Sequence, residues 1–343
     1  MNIFMDSFDH YTTAQVTAKY ERVGGPPNIT VNAARTGTHG MQIGGGLQVG
    51  KLVPQYARYY AGIALSFFQT PGVNGNIIFS FFDLSTNTVQ VQCRIYADGS
   101  IQAFKGNAVL NIGTAPAGSF PMTLNVFHYL EMSVNVTSAA SGNLVLRVDE
   151  QPVLTLSGVV TAQNNNFMNM VIVGDIALLG ATYYFDDFYI NDDQGTYNTG
   201  FAGDIGVFQM PMTASGSFTQ WLASGAATNW QAVSQNPAAD TQYVSDANPG
   251  DRDTYKITGA GLPTNVPLSA QLVTRAEKDS SATRAFQQNI RSGGNDVFSP
   301  TITLGVGYQF FRLIQETDPA TPGVQWANIA ALINAEYGQK LIT

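Results

Sequence analysis

Apolar residues in this chain recur at every second position, in short runs separated by turn formers. The runs YYAGIALSFF (59–68), NIIFSFFDL (76–84), VQVQCRIYADGS (89–100), FHYLEMSVNV (127–136) and NLVLRVDEQPVLTLSG (143–158) all show this. A period of two places one set of side chains in a core and the other on the opposite face, which is the mark of a strand. Clusters such as GGPP (24–27), GGG (44–46) and TPGVNGN (70–76) break the runs. RIYADGSIQAF predicts a hairpin, because Asp98-Gly99 suits a tight turn that needs positive φ. LVLRVDEQPVLTL predicts a second, turning at Asp149–Pro152. Many short strands with no long amphipathic helix between them predict an all-β chain built on a sandwich or jelly roll.

The texture changes at DQGTYNTGFAGD (193–204). Two domains are therefore expected, 1–195 and 200–343, the second smaller and suited to attachment or oligomerisation. Its strands are predicted at LSAQLVTRAE (268–277), ATRAFQQNIRSGG (282–294), DVFSPTITLG (296–305) and YQFFRLIQET (308–317). The last has apolar residues on both faces and is expected to be covered on both. VQWANIAALINAEYG (324–338) predicts a short C-terminal helix, with Trp326, Ile329 and Ile333 on one side and Gly338 as its stop.

Charge narrows the functions open to such a chain. Charged residues are 12% of the 343, about half the usual ~25%. Net charge is −8, and the 16 Lys and Arg form no basic run. Nucleic acid and anionic membrane surfaces are thereby disfavoured as partners. Cys93 stands alone, so no intrachain disulfide is available, and its alternating neighbours predict a buried strand position. No signal peptide is visible, and no apolar run reaches the ~18 residues of a membrane span, so a soluble product of a cytoplasm is expected.

Familiar catalytic constellations are missing. His10, His39 and His128 have no metal-ligand spacing, and there is no G-x-S-x-G or phosphate-binding loop. Glycoside hydrolysis needs two carboxylates flanking a bond, which a jelly roll can supply as alternating acids on one strand. Of Glu21, Glu131, Glu150, Glu277, Glu316 and Glu336, only Glu277 and Glu316 have an acid two positions on, Asp279 and Asp318, both outside the sandwich expected over 1–195, and Asp149 and Glu150 are adjacent and point apart. The expectation is a protein without catalytic residues.

One pattern is written twice: MNIFMDSFDHY (1–11) and YYFDDFYINDD (183–193). Strict alternation puts Tyr184, Asp186, Phe188 and Ile190 on one face and Tyr183, Phe185, Asp187 and Tyr189 on the other. One reading pairs the two strings as first and last strands, their acids serving as edge charges that discourage strand addition. The other is a calcium site built from Asp6, Asp9, Asp186, Asp187, Asp192 and Asp193, since Ca²⁺ takes clustered carboxylates. Tyr56, Tyr59, Trp221 and Trp230 are candidate rings for a glycan or a partner.

The ordered set FMDSFDHY, ADGSI, YFDDFYINDDQG, FAGDIGV, TQYVSDANPGDRDTYKI, IRSGGNDV, ETDPATPGVQW and INAEYG resembles a family of tailed-bacteriophage virion proteins. The first part also resembles a laminin-G or concanavalin-like lectin sandwich, in which the two ends pair as neighbouring strands. The resemblance implies a non-enzymatic structural protein of the tail tip or fibre, located in the virion. Its implied partners are tail, fibre or capsid proteins, further copies of itself, and a host-surface glycan. A capsid decoration or minor head protein and a glycan-degrading enzyme are the alternatives.

Overall fold

Strands make up nearly all the regular structure, as the alternating runs require. The structure, a computed structural model, describes all residues except 26, 175–180 and 260–261. One residue of the turn at 24–27 and the end of the run at 170–175 lie outside the described residues. Contacts divide the chain into two units, Met1–Val207 and Phe208–Thr343. Residues 200–207, assigned by sequence to the second domain, thus belong to the first unit.

The strands of the first unit, in chain order, are β1 (Asn2–Asp6), β2 (Arg22–Val23), β3 (Asn28–Thr30), β4 (Gly40–Ile43) and β5 (Gln48–Tyr56). Then come β6 (Arg58–Phe67), β7 (Asn76–Asp83), β8 (Thr88–Ile95), β9 (Ile101–Lys105) and β10 (Leu110–Ala115). The unit closes with β11 (His128–Asn135), β12 (Gly142–Val148), β13 (Gln151–Val159), β14 (Met168–Gly174) and β15 (Tyr183–Asp192). They form two antiparallel sheets of a jelly-roll sandwich. The larger runs β13-β12-β11-β6-β15-β4-β3, with β1 also paired to β15; the smaller runs β10-β9-β8-β7-β14-β5-β2.

Register follows the period of two. In the larger sheet Leu130 lies opposite Ile63 and Met132 opposite Ala61, and all four are buried. Phe79, Phe81, Val91, Cys93, Val171 and Val173 form the corresponding buried rows of the smaller sheet. Each large apolar side chain so buried contributes about 1.5–3 kcal/mol. Burial also pushes the Cys93 thiol well up, leaving it unreactive. Both predicted hairpins are present. Gly99 takes φ 76° between β8 and β9, and Asp149 and Glu150 take φ 48° and 67° between β12 and β13.

The repeated acid-aromatic strings do pair. β1 runs antiparallel to β15, with Phe4 opposite Ile190 and Asp6 opposite Phe188. The expected edge charges are corrected, however. β15 lies inside the sheet between β6 and β4, and Asp6, Asp186, Asp187 and Asp192 are buried. The predicted faces of β15 are corrected too. Asp186 lies opposite Ala64 and Tyr189 opposite Gly62, so one extra residue is bulged out, with Asp187 at φ 51°. Tyr189 therefore joins the face of Asp186.

In the second unit, strands Met212–Thr219, Arg252–Ile257, Glu336–Leu341, Ala285–Ser292 and Asn295–Phe298 lie side by side in that order. Ala270–Ala276 and Gln309–Gln315 form a separate ribbon. Phe310, Phe311, Leu313 and Ile314 on that ribbon are half-buried, short of the full cover expected. The helix predicted over 324–338 contracts to Ile329–Asn334, capped by Asn328, whose Oδ1 accepts from the Ala331 N–H at 3.0 Å. Strand pairing takes 336–338, and Gln325 makes an isolated bridge with Thr317. Gly338 is no helix stop: a Cβ there would lie 1.9 Å from the Asp253 carbonyl oxygen, so it permits a close strand contact.

Candidate active site

The face of the larger sheet turned away from the core carries an ordered polar row. Arg147 on β12 lies opposite Glu131 on β11, Glu131 opposite Gly62 on β6, and Gly62 opposite Tyr189 on β15. Because Gly62 has no side chain, Tyr189 reaches across it and its hydroxyl donates to Glu131 Oε1 at 2.5 Å. Arg147 Nη1 stands 3.0 Å from Glu131 Oε2 without an aligned hydrogen bond. Tyr129, two residues before Glu131 and on the same face, stacks on Tyr189 with ring centroids 6.4 Å apart.

Burial sets the acidities of this row. It raises the Glu131 carboxyl above the usual carboxylate range, against the Tyr189 hydroxyl, the Gly203 N–H and Arg147, which favour the anion. Burial, reinforced by the Glu131 charge, holds the Tyr189 phenol protonated well above its ordinary range. A second group sits at the bulge. Asp186 accepts from the N–H groups of Arg35 and Thr36 at 2.7 and 2.9 Å. Asp187 accepts from the Thr36 hydroxyl at 2.7 Å and pairs with the Arg35 guanidinium at 3.1 Å. Burial raises both carboxyls, and the neighbouring Asp187 charge raises Asp186 further.

Residues 200–207 lie across this face. The Ala202 N–H donates to Tyr189 Oη at 3.0 Å and the Gly203 N–H to Glu131 Oε1 at 2.9 Å. The Val207 N–H donates to Asp187 Oδ1 at 2.6 Å, and Asp204 pairs with Arg35. Ala202 and Ile205 pack on the cluster of Ala64, Tyr129 and Tyr189, while Phe201 meets the rings and cations of Tyr60 and Arg147. Glu131 is 0% exposed as a result. The strap supplies main-chain N–H donors to the oxygens that a bound hydroxyl would otherwise approach.

The six aspartates singled out as calcium ligands are each engaged by protein donors. Asp6 accepts from the Tyr11 and Tyr20 hydroxyls at 2.9 and 2.7 Å, and Asp9 from the Thr38 and His39 N–H groups at 2.7 and 2.8 Å. Asp186 and Asp187 meet Arg35 and Thr36 as described. Asp192 holds the N-terminal ammonium at 2.6 Å, and exposed Asp193 accepts from Gln194. Among the described residues no group of three or more His, Cys, Asp or Glu is arranged to hold a metal ion.

The four candidate rings are not brought together. Tyr59 is 0% exposed, its hydroxyl turned to the Pro54 carbonyl, so it offers no stacking face. Tyr56 is partly exposed at the end of β5. Trp221 and Trp230 are half-buried in the second unit. Sequence reasoning missed Tyr129, Arg147, Tyr189 and Arg35. It tested Glu131 only for a partner two positions along its own strand, whereas its partners lie across the sheet.

Near β1, the Lys19 ammonium lies 2.6 Å from His10 Nε2, an arrangement that needs a neutral imidazole. Burial and then the Lys19 charge lower His10 from 6.5 to about 3. Below pH 6.5 the unfolded chain binds a proton that the folded chain excludes, so stability falls as pH falls, down to about 3. Relative to His10→Gln, the wild-type protein should lose about 2 kcal/mol between pH 6.5 and 5 in urea titrations. Parallel curves for the two proteins would show that His10 titrates normally.

No protein-family model matches the chain, and no curated protein matches it. Solved structures do. An endo-β-1,4-glucuronan lyase from the fungus Trichoderma reesei is similar at 13% identity and a TM-score of 0.43, over 55% of this chain and 95% of that one. The alginate lyase Aly36B is similar at 10% identity and 0.39, over 55% and 94%, and the alginate lyase vAL-1 from a Chlorella virus at 9% and 0.36, over 52% and 95%. These neighbours correct the expectation of a non-enzymatic virion protein of the tail tip, fibre or capsid. By name all three are lyases, of glucuronan or of alginate. At such identities they assign no residue of this chain a role.

Proposed function

We propose that the first unit degrades an acidic polysaccharide on the outer face of its larger sheet, and that residues 200–207 hold the site latent. The observation that carries this is the Tyr189 hydroxyl donating to Glu131 across Gly62, with Arg147 beside it. Such a row suits β-elimination of a 4-linked uronate. Glu131, a stronger base than an exposed carboxylate because burial raises it, takes the proton at C5, next to the uronate carboxyl. The electron pair forms the C4=C5 double bond as the C4–O bond breaks. Tyr189, kept protonated, gives its proton to the leaving oxygen. Arg147 balances the uronate carboxylate. Afterwards Glu131 holds one proton more and Tyr189 one fewer, and their 2.5 Å contact returns it directly.

The glucuronan and alginate lyases indicate which polymers to try first; the row of residues carries the reading. General acid–base groups contribute about 10²–10⁴-fold, so Glu131→Gln and Tyr189→Phe should each lower elimination by about that factor. The rate is followed through the ultraviolet absorption of unsaturated sugar ends. Turnover unchanged in both variants would remove the row from the chemistry.

A further inference from the structure

A cleft of about 410 Å³ lies on the smaller sheet, away from the strap and from every strand of the larger sheet. Arg22 of β2, Gln48 at the start of β5, Phe82 of β7, the 106–109 loop and Gln163 line it. Three features point to a ligand. Gln48 is 8% exposed, yet its Oε1 has no hydrogen-bond partner among the described residues. A buried acceptor left unmet costs about 1–3 kcal/mol, so it favours an occupant that donates. Arg22 lies over Phe82, its guanidinium carbon 4.6 Å from the ring centroid, and among the described residues its guanidinium makes one long hydrogen-bond contact, 3.5 Å to Asn87 Oδ1. Among the described residues no carboxylate lines the cleft. Amide side chains of Asn107 and Gln163 add further donors and acceptors at the mouth, beside apolar Val109.

From these we infer that the cleft binds a single acidic sugar residue, a uronic acid. Its carboxylate meets Arg22, a ring hydroxyl donates to Gln48 Oε1, and its apolar ring edge rests against Val109. The net charge of −8 opposes an anion at long range, but it is screened beyond ~10 Å at 0.1 M salt, whereas Arg22 acts in contact. The site is independent of the elimination reading, since it shares no residue with the polar row.

The test is a titration of the full chain with D-glucuronate, followed by amide chemical shifts, with D-glucose and inorganic phosphate as separate arms. Saturable glucuronate binding is expected, with shifts at Gln48, Asn107 and Gln163. Glucose should bind at least about tenfold more weakly, having lost the charge-assisted contact, and phosphate likewise, having no ring. Arg22→Gln should weaken glucuronate by about the same factor. Val109→Trp blocks the mouth from a position already 69% exposed, so it should abolish binding without unfolding the chain. Absence of saturable glucuronate binding, phosphate binding as tightly as glucuronate, or an affinity unchanged in both variants would each overturn the assignment.

Discussion

Asp204→Ala combined with Ile205→Ser is expected to raise polyuronate turnover about ten- to thirtyfold over the wild-type chain. Asp204 holds the strap through Arg35, and Ile205 packs on Tyr129 and Tyr189. A half-exposed ion pair is worth up to about 1 kcal/mol, and losing most of the half-buried Ile205 side chain costs about 1 kcal/mol. Together they amount to about 1.5–2 kcal/mol of bias toward the open form, which sets the expected factor. Neither side chain belongs to the reacting row, so the variant should change how often the site opens and leave its chemistry intact. Hydrogen exchange at the Ala202 and Gly203 amides, which bond to Tyr189 and Glu131, should accelerate by a similar factor. Faster exchange without faster turnover would separate the strap from the activity.

Gly62→Ala is expected to destabilise the first unit by about 3 kcal/mol. A Cβ at this position would stand 2.2 Å from Tyr189 Cε1 and 2.9 Å from Tyr129 Cε1. β6 is flanked by β11 and β15 and cannot shift without breaking two ladders. The tyrosines must give way, and the Tyr189 contact with Glu131 goes with them. Adding Tyr189→Leu should recover part of the loss, because the clash and the ring are one interaction, and a double-mutant cycle in urea measures that coupling. Additive losses would place the cost of Gly62→Ala in the backbone.

Much of the fold was legible because it depends on short-range pattern. Alternation over 59–68, 76–84 and 127–136 predicted strands that form, and Asp98-Gly99 predicted a hairpin from the conformation glycine allows. Pairing of the two acid-aromatic strings was also foreseen. Their burial was not, because it follows from β6 and β4 flanking β15, a fact of sheet order rather than of local sequence. The bulge at Asp187 is equally silent: one extra residue moves Tyr189 to the face of Asp186 and reverses the predicted alternation. Residues 324–338 have helical periodicity, yet pairing of 336–341 between two strands wins over propensity for part of that stretch. The candidate site was illegible for the same physical reason. Arg147, Glu131, Gly62 and Tyr189 come from four strands, and only the register makes them a row.

Product analysis by mass spectrometry tests the account most directly. The Asp204→Ala, Ile205→Ser protein would be incubated with a defined β-1,4-linked oligoglucuronate. Elimination predicts paired fragments, one saturated and one unsaturated and lighter by a water, and their loss when Tyr189→Phe is added. Intact oligosaccharide, or fragments that are all saturated, would contradict elimination by the Glu131–Tyr189 row.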